Sequence, residues 1–136
     1  ETAVEVAGRN AKRNGVETRV ELLVSDVFDS IDGDGFDAIV TNPPYIAADD
    51  IPTLQVEVRD YEPLVALTDG GDGLSIIRRI VIDSPARLKS GGLLLMEIGH
   101  RQSAAVDAMF ARDIWTDVHF LTDLQNIDRT LFARLA

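Results

Sequence analysis

The chain has 136 residues, enough for one domain with a substantial core. Its formal net charge of -10 speaks against direct binding to DNA or RNA, because phosphate recognition is led by Lys and Arg. It has no cysteine, which excludes disulfides and thiolate metal sites, and its two histidines, His100 and His119, lack a ligand-spaced companion.

Thr2 to Asn14 reads as a helix, with Val4, Ala7 and Ala11 on one stripe and Arg9, Lys12 and Arg13 on the other. Asn14-Gly15 is its expected stop. Arg19 to Val24 alternates and then runs apolar, which predicts a strand ending at Ser25-Asp26-Val27-Phe28. An acid at the carboxyl end of a strand is placed to accept a hydrogen bond from a ligand's amine. Asp26 fits that role, and it equally fits a turn or helix cap. Ile31 to Gly35 reads as a solvated turn, since the calcium-loop spacing of acids is missing.

Phe36 to Val40 predicts a buried strand, and Asn42-Pro43-Pro44-Tyr45 follows at its end. Each X-Pro step removes a backbone donor and biases the preceding residue toward extended geometry. Pro43 and Pro44 therefore offer carbonyls without N–H groups, and Asn42 adds a side-chain carbonyl while its amide is placed to hold the turn. The product is a stiff, acceptor-rich corner with a flat ring beside it. Such a corner suits a planar group that donates two hydrogens from an NH2, and strand carboxyl ends are where open α/β sheets bind ligands.

Ala47 to Pro63 has little periodicity and reads as a long loop on the substrate side. Asp69 to Gly73 predicts a turn into a helix, with Asp72 a candidate N-cap and Pro85 expected to kink or split that helix. Leu93 to Met96 reads as a fully buried parallel strand, and His100 just beyond it is a weak candidate for a base. Arg101 to Arg112 predicts a second amphipathic helix, Val118 to Leu121 a strand, and Arg129 to Leu135 a last strand. The short loop before the last strand implies antiparallel pairing with its predecessor. Alternation of strands and helices gives an α/β chain with a mainly parallel sheet. No apolar run approaches a membrane span and no secretory signal is visible, so a cytoplasmic location is expected.

The corner is similar to the motif of methyltransferases that move a methyl from S-adenosylmethionine to an amide or exocyclic amine nitrogen. Further along stand Glu57-Val58-Arg59-Asp60-Tyr61-Glu62-Pro63, Ala66-Leu67, Gly71-Asp72-Gly73-Leu74, Gly91-Gly92, Glu97-Ile98-Gly99 and Asp128-Arg129. In that order and spacing the chain resembles the HemK-type protein-glutamine N5-methyltransferases that modify peptide-chain release factors. The resemblance implies a class I S-adenosylmethionine-dependent methyltransferase fold, a Rossmann-like sheet whose last strand is antiparallel. It implies that Asn42 and the Pro43 carbonyl hold a glutamine amide, with Pro44 and Tyr45 completing the substrate corner and Tyr45 packing on the amide face. It implies cofactor contacts at Asn42 and at Asp26 or Val27, where many relatives carry an aromatic. The substrate would be the glutamine of the Gly-Gly-Gln loop of a release factor.

The family's glycine-rich cofactor loop and ribose-holding acid have no counterpart in the chain, and none of the ten glycines forms Gly-x-Gly-x-x-Gly. Residues 1–136 are therefore expected to be the C-terminal part of a single catalytic domain, without the first strands of its sheet. Three alternatives stay open. They are glutamine methylation of a ribosomal protein, N6-adenine methylation of a flipped base, and a non-catalytic interaction domain.

Overall fold

The computed structural model describes residues 2–136. The chain divides into two compact units, Glu1–Asp32 and Gly33–Ala136. In the first, helix α1 (Ala3–Arg13) begins at a capping box. Thr2 Oγ1 accepts from the Glu5 N–H at 3.3 Å, and the Glu5 carboxylate accepts from the Thr2 N–H at 2.8 Å. Two orphan donors at the helix start are thereby satisfied. Asn14 ends the helix, its N–H donating to the Asn10 carbonyl.

The strand expected over Arg19 to Val24 is absent: residues 20–25 form no regular structure and no ladder. Val20, Leu22, Leu23 and Val24 are all exposed, Val24 by 80%. Alternating apolar residues favour a strand only where a neighbouring strand takes up the backbone groups, and within the described residues these have none.

The second unit holds β1 (Phe36–Thr41), α2 (Val56–Arg59), α3 (Leu64–Leu67), α4 (Ser75–Asp83), β2 (Leu88–Glu97), α5 (Ser103–Asp107), β3 (Trp115–Thr122) and β4 (Asp128–Leu135). The four strands form one sheet in the order β1-β2-β4-β3. β1 pairs parallel to β2, while β4 pairs antiparallel to both β2 and β3. Three strands thus run one way and the last strand in sequence inserts between two of them in reverse. This is the class I methyltransferase arrangement of the closing strand, and the antiparallel hairpin of the last two strands is as expected.

The core draws on every layer of this unit. Ile77 of α4, Leu94 and Met96 of β2, Ile98, Val106 of α5 and Leu131 and Ala133 of β4 are fully buried. Each of these side chains larger than alanine contributes roughly 1.5–3 kcal/mol of transfer free energy. Phe110 and Trp115 are also buried and meet edge to face at 5.4 Å.

Four expectations need correction here. β2 is not buried throughout: Leu94 and Met96 face the core while Leu93 and Leu95 are half-buried, the alternation of a pleated strand. β1 is not a buried strand either, because it is the sheet's edge among the described residues, and Val40 is 78% exposed. The helix expected over Arg101 to Arg112 is the five-residue α5, preceded by Arg101 in a left-handed conformation (φ 67°). The long loop after the corner is not structureless. It carries a 3-10 turn at Ala48–Thr53 and then α2. Pro85 acts as expected: α4 ends at Asp83 and a 3-10 turn, Ser84–Ala86, takes over.

Candidate active site

β1 delivers Asn42 to the carboxyl end of the sheet. Asn42 is exposed, Pro43 is buried, and Pro44 and Tyr45 are half-buried. No backbone N–H of the described residues outside the regular elements donates to the Pro43 or Pro44 carbonyls. The Asn42 amide was expected to hold the turn, but other groups do so. The Ile46 N–H donates to the Leu67 carbonyl and the Ala48 N–H to the Gly71 carbonyl, each at 2.9 Å. The Gln102 amide nitrogen donates to the Tyr45 carbonyl at 2.9 Å. Asn42 Oδ1 and the Pro43 carbonyl therefore remain as acceptors on a corner fixed from three other parts of the chain.

Two clefts meet at Asn42. One, of about 310 Å³, is lined by Asn42, Pro43, Tyr45, Ile46, Ala66 and Leu67. The other, of about 300 Å³, runs along the strand ends and is lined by Val40, Thr41, Asn42, Leu95, Met96, Glu97 and Thr130. Asn42 is the residue they share. Tyr45 lines the first, and its phenol donates to Glu97 Oε1, on the second, at 2.7 Å. Burial, then the hydrogen bond to Glu97 and its negative charge, push the Tyr45 pKa up to about 12, with Arg129 opposing. The phenol is thus a fixed donor to Glu97 at neutral pH.

The loop before α4 supports the corner from beneath. A Cβ on Gly73, whose φ is +76°, would lie 2.2 Å from the Tyr45 carbonyl oxygen. Only glycine admits that approach. Asp69 ties the loop by accepting from the N–H groups of Gly71 at 2.8 Å, Gly73 at 3.0 Å and Ser75 at 2.8 Å, and from the Ser75 hydroxyl. Partial burial alone would raise its pKa, but the bonds from Ser75, Gly71 and Gly73 bring it down to about 2. Asp72, the expected cap, accepts from the Leu74 N–H at 3.0 Å, so Asp69 does most of the work assigned to it.

Asp26 and Val27 belong to the first unit. They lie in a compact turn in which the Asp29 N–H donates to the Asp26 carbonyl at 3.1 Å and the Ser30 N–H to Ser25 Oγ at 2.9 Å. Val27 sits at φ 53°, a left-handed conformation that β-branched residues seldom adopt. His100 lies in a different cleft, with Arg101, Asn126, Ile127 and Asp128, and it is not among the residues lining the two clefts at Asn42. Gln102 and Asp69 were missed in the sequence, where each reads as an ordinary loop or helix residue. The Gly-Gly-Asp-Gly run following Asp69 was the available signal that something packs tightly there.

Residues 1–58 match the family model described as the Methyltransferase small domain. The release factor glutamine methyltransferase of Cereibacter sphaeroides is 45% identical over 133 residues, covering 98% of this chain and 48% of that protein. The protein of the same name from Geobacter sulfurreducens is 42% identical over 133 residues, covering 98% and 46%. A solved release factor-specific protein-(glutamine-N5) methyltransferase from Alicyclobacillus acidocaldarius aligns with TM-score 0.49 at 28% identity, covering 74% of this chain and 49% of that one. The chain spans about half the length of the curated relatives it matches. Over nearly all of its own length, then, this chain is similar to the release factor glutamine methyltransferases.

Proposed function

We propose that the chain is part of a single methyltransferase catalytic domain, and that it carries the acceptor corner for transfer of a methyl from S-adenosylmethionine to the side-chain amide nitrogen of a protein glutamine. The substrate in this reading is the Gly-Gly-Gln glutamine of a peptide-chain release factor, a protein of the cytoplasm. The observation that carries the reading is the pair of uncommitted acceptors, Asn42 Oδ1 and the Pro43 carbonyl, on a corner held by Gln102, Leu67 and Gly71. Among the described residues no helix is long and apolar enough to cross a membrane.

An amide nitrogen is a weak nucleophile because its lone pair is delocalised into the carbonyl. Two acceptors that receive its two hydrogens orient that nitrogen, and they favour the positive charge that develops as it loses delocalisation. Tyr45, its phenol committed to Glu97, offers a flat apolar face to the amide plane. When bound, S-adenosylmethionine supplies an electrophilic methyl group on a sulfonium. Of this chain's residues, Asn42 is the one proposed to border both partners. The apolar wall of Val40, Leu95 and Met96 in the adjoining cleft is compatible with the donor's carbon chain. Asp26 and Val27 are the proposed adenine-side contacts.

The test is labelled methyl transfer with release factor and adenine-containing DNA offered in parallel, by this chain and by a longer one that includes it. Label on the release-factor glutamine is expected. Label on DNA alone would replace the reading with an adenine methyltransferase, and no label from either protein would remove the catalytic reading.

A further inference from the structure

Three contacts from the segment 97–102 converge on one residue, Tyr45. Glu97 Oε1 accepts from the Tyr45 phenol at 2.7 Å. The Gln102 amide nitrogen donates to the Tyr45 carbonyl at 2.9 Å and reaches the Gly73 carbonyl at 3.5 Å. Gly99 lies against the ring, so that a Cβ there would come within 3.2 Å of Tyr45 Cδ2.

From this convergence we infer that Glu97 and Gln102 are positioning residues for the acceptor corner: they fix Tyr45 at its two ends and so set the plane against which the amide lies. The inference rests on the proposed glutamine reaction. Gln102 suits the task by chemistry. Its Oε1 accepts from the Gly99 N–H at 2.7 Å, so its amide nitrogen is forced to face Tyr45 and Gly73. A carboxylate at that position would keep the first bond and repel both carbonyls. Glu97 has a second effect. By accepting the phenol's hydrogen bond it keeps the hydroxyl from donating to the corner, and the acceptors stay free for the substrate's NH2.

The test compares the parent with Glu97→Ala, Glu97→Gln, Gln102→Ala and Gln102→Glu in the full-length protein. It records kcat and KM for release-factor methylation alongside thermal midpoints. A misplaced acceptor site costs orientation, so both alanine variants should lose kcat by about ten-fold or more while KM stays within about three-fold. Glu97→Gln should recover most of its loss, and Gln102→Glu should resemble Gln102→Ala. Full kcat in both alanine variants would overturn the inference. So would a Glu97→Gln variant as impaired as Glu97→Ala, or kcat losses that simply track the melting temperature.

A second readout separates this inference from the reaction it rests on. Residues 1–136 hold two tyrosines, so in this chain by itself fluorotyrosine in a Tyr61→Phe background reports on Tyr45 alone. Its resonance should move toward the unfolded value in Glu97→Ala and in Gln102→Ala. An unmoved resonance would overturn the clamp whatever the activity, whereas a moved resonance in a parent that transfers no methyl would sustain the clamp and sink the reaction.

Discussion

Two stretches of this chain look alike on paper. Arg19–Val24 and Phe36–Val40 are both short apolar runs, and each is followed by polar residues suited to a ligand. Only the second forms a strand. β1 has a partner in β2 over five register positions, and the corner after it is tied to Leu67, Gly71 and Gln102. The first run has no ladder and leaves Leu23 49% exposed. The difference teaches that the apolar pattern supplies the possibility of a strand, while long-range partners decide it.

That contrast can be strained from either side. The largest stability effect is expected from Gly73→Ala. The new methyl would drive into the Tyr45 carbonyl and the backbone would be forced to hold a positive φ, a loss of about 3 kcal/mol measurable as a lower denaturation midpoint. A change within experimental error would mean that the loop is not pressed against the corner.

Asp69→Asn comes next, and its signature is pH dependence. The folded carboxyl, drawn to about 2, lies below its unfolded value of about 3.9. Its contribution is therefore present above the unfolded value and lost as pH falls from about 4 to about 2. Urea midpoints of parent and variant should differ at neutral pH and converge across that window. Parallel curves would show that the charge on Asp69 is not what holds the loop.

The smallest effect should come from Leu23→Ser, within about 0.5 kcal/mol, because an exposed residue without a ladder has little burial to lose. A loss of more than about 2 kcal/mol there would show that the run is buried in solution and would erase the contrast.

Much of the second unit was legible in the sequence. The start of β1, the break of α4 at Pro85 and the antiparallel closing hairpin all have local causes: apolar period, a missing N–H, a short loop. What was not legible depends on distant partners. Nothing near Gln102 in sequence announces that its amide spans Gly99, Tyr45 and Gly73, and the fixing of Tyr45 by Glu97 links residues 52 apart. The exposed edge position of β1 was hidden for the same reason, since Ile39-Val40 has the same apolar character whether or not a neighbour covers it.

The most direct measurement of the central claim is turnover of Asn42→Ala beside its parent, with thermal midpoints recorded on the same samples. Asn42 is exposed and, among the described residues, its side chain is not part of the bonding that holds the turn. If it is one of the two acceptors for the substrate amide, methyl transfer should fall by about 100-fold or more while stability moves by less than about 0.5 kcal/mol. Equal losses in both, or full activity in the variant, would contradict the account and return Asn-Pro-Pro-Tyr to the status of a turn.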